Sequence, residues 1–387
     1  MKYIFISILF LFSTIYCQST TNHLFVPSGY IIETLSGYGY SKSITNQSNI
    51  ASSNPSAMDR FINPTIGISY QIESDLKPGY IADIGVTRYK KSLPQSAGLI
   101  LPYKGLRLGF GFSQKYNCSL VFGKILVTTV DNPDGIGNAS LNVAEEAEAI
   151  RYSGLISYGF NDLIYKNDRF ILGGAVNYDR LNYHYSWGLN ETDPDRVLKS
   201  HGSNVSYSFG IMYAFPNSTR QKNLFSISFE RGAEFNNMET DENLARGIYQ
   251  SSYLYSSKDI SISKEPDKGS LGIDYFFSDL SLISTTVSYI GWSSAGNNKE
   301  DQIEAASSYI YKLRDNLSSS VGIFYTDLNY KDNTFAKDGS YRSLFIMAGA
   351  VYSYALVDFD LVIADSHLLS GKLRKETIGK LSVGFHL

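Results

Sequence analysis

The sequence predicts an all-β chain: a transmembrane antiparallel β-barrel of about 14 strands, preceded by an N-terminal plug segment. Three observations predict it. Segment after segment between Thr65 and Leu387 alternates apolar and polar residues with a period of two. The alternating segments run about 9–14 residues, the length of tilted spanning strands rather than the ~5–6 of soluble sheets. The connections are of two kinds, short turns and long polar loops, as expected when the two rims of a barrel face different compartments.

The first 17 residues read as an export signal: Lys2 is the charged start, "YIFISILFLF" (3–12) the apolar core, and Cys17 the small residue before a cut that would leave Gln18 first. A lipid-anchored Cys17 is the rival reading, opposed by the bulky Tyr16. A retained anchor is opposed by an apolar run shorter than the ~20 residues that span a bilayer. The expected organisation is therefore 1–17 signal peptide, 18–61 plug segment and 62–387 barrel.

"SSNPSAMDRF" (52–61) precedes the first clear strand. Asn54-Pro55 starts a turn, since Pro fixes φ and the Asn side chain can bond the backbone beyond it. "SAMDRF" then has room for one helical turn. Ahead of it lie Leu24, Phe25, Val26, Tyr30, Ile31, Ile32 and Leu35, apolar residues that need cover, which a barrel lumen offers; a simple periplasmic tail is the other reading.

In the first strand Ile66, Ile68, Tyr70 and Ile72 alternate with Thr65, Gly67, Ser69, Gln71 and Glu73. Further strands are expected at 79–89, 106–113, 119–130, 151–160, 169–184, 205–215, 225–230, 251–263, 269–277, 280–292, 302–312, 317–328, 343–356, 357–367 and 381–387. "FSD" (277–279), "LRDN" (313–316) and "EPDKG" (265–269) are the short connections; 131–148, 186–202 and 233–247 are the long polar ones. Almost every strand keeps one apolar face and one Ser/Gly/Asn/charged face from end to end, which suits lipid outside and a polar lumen inside. A secreted soluble β-protein is the competing class. A barrel in lipid must close, which pairs the strand near 65 with the last one.

Composition agrees. The chain of 387 residues holds 30 Tyr, 22 Phe and 32 Gly, aromatics for the two interfacial girdles and glycine for turns. A formal net charge of −3 argues against nucleic acid as a partner. Beyond Cys17 the chain has one cysteine, Cys118, so neither a disulfide framework nor a Cys-based metal site fits. Glu145, Glu146 and Glu148 lack the ladder and glycine of a calcium loop. Asp365 and His367 share a strand face, but no nucleophile is placed with them by the sequence, although Ser370 is near. No cofactor, no metal and no enzymatic activity are expected.

Two regions carry a family resemblance. "SNIASSNPSAMDRF" resembles the N-terminal plug of the FadL/TodX-type outer-membrane channels, which ends in an Asn-Pro-Ala motif before the first strand; here it is Asn54-Pro55-Ser56-Ala57. "PDKGSLGIDYFFSDLSLISTTVSYIGWSS" (266–294) and "KLRDNLSSSVGIFYTD" (312–327) are similar to the family's hairpin and following strand, with Trp292 and Asp315 where that pattern expects them. The strand "ILGGAVNYD" (171–179) extends the likeness.

The resemblance implies a channel in the bacterial outer membrane, surrounded by lipid, for passive uptake of hydrophobic molecules such as long-chain fatty acids and hydrocarbons. Asn54 and Pro55 are its implied plug and gating residues. Pro102, in "SAGLILPYKG" (96–105), is the implied kink of a lateral gate, an ordinary inter-strand turn being the alternative. The stretch before Asn54 is Ser/Asn/Tyr-rich where the family is Ala-rich, and the resemblance assigns none of its basic residues to a fatty-acid carboxylate. The same likeness extends to secretion-associated barrels of the PorV type, which would dock a protein partner instead.

Overall fold

In the computed structural model, which describes residues 54–73, 92–126, 140–189, 196–217, 221–235, 239–244, 264–295, 301–327, 343–369 and 377–387, nearly every alternating segment becomes a strand. They are β1 (Thr65–Glu73), β2 (Ser92–Tyr103), β3 (Leu106–Leu126), β4 (Ser140–Asn161), β5 (Arg169–Leu189), β6 (Arg196–Pro216), β7 (Lys222–Glu230) and β8 (Glu239–Leu244). The second half supplies β9 (Asp267–Ser278), β10 (Ser281–Gly291), β11 (Gln302–Arg314), β12 (Leu317–Thr326), β13 (Ser343–Tyr354), β14 (Val357–Asp365) and β15 (Thr377–His386).

Neighbours in sequence are neighbours in space, all antiparallel. The ring closes where β1 meets β15, from Thr65 opposite His386 to Glu73 opposite Ile378. β7 pairs with β9, and the short β8 instead extends the Arg196–His201 end of β6. Of the 15 strands, 14 therefore form the closed barrel. Closure leaves none of the 14 barrel strands as an edge strand, the condition for a sheet in hydrocarbon.

Burial is inside-out relative to a soluble protein. On β1 Ile68 is 51% exposed, whereas its neighbour Ser69 is 0% exposed. The same alternation holds on β9, with Leu271, Ile273, Tyr275 and Phe277 exposed and Ser270 and Asp274 buried. Water would penalise such a surface; lipid favours it, and the lumen hides the polar face. Outward aromatics form two levels eight residues apart, as in Tyr152 and Phe160, Phe170 and Tyr178, and Tyr207 and Phe215. Eight residues span roughly 26 Å along a strand, about 20 Å across a bilayer at ~40° tilt, close to the expected apolar band. Tyr158–Phe160 and Tyr275–Phe277 make edge contacts at 4.8 and 5.0 Å at one of these levels.

Tight turns gather at one rim: Lys104-Gly105, Asp279-Leu280, Asp315-Asn316 and Ala355-Leu356. The β4–β5 connection at this rim is built on Asp168, whose carboxylate accepts the Leu163, Ile164 and Tyr165 amides at 2.8, 2.9 and 2.8 Å and the Tyr213 hydroxyl at 2.9 Å. Burial pushes Asp168 up, but these donors together hold it below its usual value. Long connections occupy the opposite rim.

The structure redraws several expected boundaries. Residues 106–113 and the described part of 119–130, up to Leu126, belong to one strand, β3. The expected loops 131–148 and 186–202 are partly strand, since β4 starts at Ser140 and β5 and β6 run to Leu189 and from Arg196. β8 lies within the expected loop 233–247. "EPDKG" leads into β9 rather than joining two strands. Strands projecting past the bilayer meet water on both faces, so their sequence loses the lipid-driven alternation that marks a span. The expected strands 79–89 and 251–263, the signal segment 1–17 and residues 18–53 lie outside the described residues.

Candidate functional site: the barrel lumen

The stretch "NPSAMDR" enters the lumen as a 3-10 helix, Pro55–Arg60. Asn54 caps it, its side-chain oxygen accepting from the Ser56 amide at 3.1 Å and the Ser56 hydroxyl at 2.7 Å, and Pro55 fills a first position where its missing N–H costs nothing. The helix packs inside β3, β4, β5 and β6. Met58 and Phe61 join Ile100, Leu155 and Ala175 in an apolar cluster. Asp59 accepts both Nε and Nη2 of Arg169 at 2.5 Å, and Arg107 donates its Nε to the Phe61 carbonyl at 2.7 Å. Two wall glycines make room for this approach: a Cβ on Gly173 would overlap the Pro55–Ser56 backbone, and one on Gly210 the Asn54 side-chain oxygen.

Pro102 is in β2, opposite Arg107 and next to the two-residue Lys104-Gly105 turn. Pairing of β2 with β1 ends at Ile100, so at Pro102 the missing N–H removes no bond on that side. The strand's register irregularity is elsewhere, at Gln95, which is skipped between Ser69 opposite Ser96 and Tyr70 opposite Pro94.

Toward the opposite rim, a charged cluster crosses the lumen. Arg151 of β4 donates to Asp179 of β5 at 2.6 and 3.0 Å and to Glu230 of β7 at 2.5 Å, and lies 3.6 Å from Glu265. Lys115 of β3 also donates to Glu230, at 2.8 Å. Ser206 of β6 donates to Asp179. Glu265 belongs to the base of the β7–β9 connection, where its amide bonds the Ala233 carbonyl at 2.8 Å. Burial, and then the Asp179 charge, raise its carboxyl to about 8, so at neutral pH the two cations are matched by Asp179 and Glu230. Replacing Arg151 with alanine is expected to lower barrel stability by about 3–5 kcal/mol, because Asp179 and Glu230 remain buried with too little positive charge. Urea unfolding of the reconstituted barrel measures this, and adding Asp179→Ala is expected to recover part of the loss.

A different surface lines the lumen under β11–β15. Ala306, Phe324, Phe345, Met347, Val362, Ala364 and Ile378 form a buried apolar patch near the rim of long connections. Phe324 and Phe345 stand on paired positions with ring centroids 5.8 Å apart. These positions are on the inward face, where other strands place Ser, Asn and charged residues.

The sequence pairing of Asp365 with His367 is real, at 3.0 Å from Nδ1, and the Thr377 hydroxyl donates to the same carboxylate at 2.5 Å. These groups tie the end of β14 to the start of β15. Ser370 lies outside the described residues. A second group was not legible: His386 Nδ1 is 3.0 Å from Thr65 Oγ1 and its Nε2 is 2.8 Å from Asp358. Thr65 is buried and donates to the Asn63 carbonyl, so the trio clasps the β1–β15–β14 seam. Trp292 is buried in a short 3-10 helix and donates to Gln302 at 2.8 Å. Among the described residues no group of three metal-ligating side chains converges.

No protein-family model and no curated protein sequence matches the chain. Solved structures do. The Ralstonia pickettii toluene transporter TbuX superposes with a TM-score of 0.64 at 9% identity, over 92% of this chain and 100% of that one. The Pseudomonas putida toluene transporter TodX gives 0.61 at 11%, over 92% and 99%. A Pseudomonas aeruginosa FadL homologue gives 0.60 at 16%, over 89% and 94%. The likeness covers about nine-tenths of this chain, and the protein has the fold of the FadL- and TodX-type barrels.

Proposed function

We propose that the protein is an outer-membrane channel for passive uptake of hydrophobic molecules, a class that runs from hydrocarbons to long-chain fatty acids, and that residues 18–61 plug its lumen. One observation carries this reading: a seven-residue apolar patch on the inward face of β11–β15, near the rim of long connections. Closing the ring does not require two phenylalanines on the inner wall, whereas an apolar solute needs such a surface to leave water. The toluene transporters and the FadL homologue of the same fold support it.

In this scheme solute is captured near the rim of long connections and meets the apolar patch. It proceeds when the plug rearranges at its anchored end, Asn54 and Pro55. A lateral exit would open beside the Gln95 irregularity, where the β1–β2 ladder is already interrupted, rather than at Pro102.

The test is uptake of labelled toluene, dodecane and palmitate by cells with and without the full chain, and with residues 18–53 deleted. Barrel-dependent uptake that changes on deletion is expected. Equal uptake of every apolar compound with and without the barrel would overturn the proposal and favour a protein-docking role.

A further inference from the structure

Resting on that reading, we infer that this channel selects uncharged apolar molecules and discriminates against carboxylates of the same size. The apolar patch has two cations on its border, and both are already engaged. Lys268 lies 3.3 Å from Glu304, and Glu304 stands two residues before Ala306 of the patch on the same inward face. Lys380 follows Ile378 of the patch by two residues; it is opposite Val362 and diagonal to Asp360, and it has a partner of its own. Both lysines are nearly inaccessible, at 9% and 2% exposure.

Elsewhere in the lumen Lys115 and Arg151 are held by Glu230 and Asp179, and Arg107 is spent on carbonyls of Phe61, Lys104 and Leu106. The buried acids are at least as numerous as the buried cations. Residues 18–53 add Lys42 against Glu33, so that segment contributes no surplus positive charge either.

The physics follows from these pairings. A carboxylate entering the lumen sheds its hydration and must recover it from donors or positive charge. Among the described residues it would have to compete with a side-chain carboxylate already in place, and lose to it or leave that acid uncompensated. An alcohol or hydrocarbon of the same length loses little by the same transfer and keeps the full apolar contact. The lumen therefore rejects the anion rather than recognising the neutral molecule, a form of selectivity by unfavourable contacts.

The experiment uses the full chain held in amphipol, titrated calorimetrically at pH 8 with octan-1-ol and with octanoate, and with Phe345→Ala as the control for binding at the patch. Octan-1-ol is expected to bind at least tenfold more tightly than octanoate. In Glu304→Gln, which removes the carboxylate from Lys268, octanoate is expected to recover much of that difference while octan-1-ol is unchanged. Octanoate binding as tightly as octan-1-ol to the unaltered chain would overturn the inference and leave the channel reading intact. Unchanged discrimination in Glu304→Gln would overturn its assignment to these ion pairs. Binding of neither compound above the Phe345→Ala background would overturn both the inference and the channel reading.

Discussion

Gly210→Val is expected to unseat the plug end and open the lumen to small polar solutes. The Asn54 side-chain oxygen occupies the space where any Cβ on Gly210 would stand, and a branched side chain enlarges the overlap. Nothing on the lipid face of β6 changes, so the barrel should still fold and insert. Gly173→Val acts on the neighbouring strand against the Pro55–Ser56 backbone and is expected to behave alike. The anchors that remain, Asp59 with Arg169 and Arg107 with the Phe61 carbonyl, hold the helix by its other end. Adding Arg169→Ala should therefore enlarge the effect beyond either glycine variant. Planar-bilayer conductance is the measurement, with heat-modifiable gel migration as the check on folding. A large rise in conductance in folded barrels is expected; folded Gly210→Val barrels that conduct like the parent would remove Asn54 from any part in closing the lumen.

Phe324→Ala together with Phe345→Ala is expected to lower hydrophobic uptake at least tenfold at limiting solute. Each ring offers about 150–250 Å² of surface when fully covered. Even a third of that, at ~25 cal/mol per Å², is worth about 1.5 kcal/mol, or roughly tenfold in affinity for each ring. The rings also support one another, so part of the loss will appear as stability, and the folded fraction must be measured beside uptake. Phe277→Ala provides the contrast. It removes an aromatic of equal size from the lipid face, where Phe277 is 54% exposed, and is expected to leave uptake unchanged. If Phe277→Ala impairs uptake as much as the lumen pair, the patch is no binding surface and the effect is one of barrel integrity.

The parts of the fold that touch lipid were legible in the sequence because lipid imposes one rule on every strand. Ile66, Ile68, Tyr70 and Ile72 had to face the same way, and the alternation in "LSVGFHL" had to run to the C-terminus for β15 to close on β1. Tight turns such as Asp279-Leu280 and Asp315-Asn316 were legible for the same reason, as breaks between two such runs. β2 was obscured because "SLPQSAGLILPY" carries two prolines, which read as breaks. Pro102 proved to lie beyond the β1 pairing, where a missing N–H is harmless. The outer ends of β4 and β6, "SLNVAEEAE" and "RVLKSHG", read as loops because water on both faces removes the pattern.

The lumen followed no comparable rule. The sequence marked Asn54-Pro55 as a capped turn, but not that Gly173 and Gly210, on two later strands, leave the hollow it fills. It gave Phe324, Phe345, Val362 and Ile378 as apolar residues on four different strands, indistinguishable from lipid-facing ones until closure put them on the inner wall. It could not bring Thr65 to His386, 321 residues apart, nor Arg151 to Glu230. By itself the sequence determined that the chain would close into a barrel in lipid, because hydrocarbon acts on each strand locally and tolerates neither an open edge nor a polar outer face. Only the tertiary structure decided what the barrel encloses, because lumen contacts are made across the ring between residues whose separation along the chain carries no periodic signal.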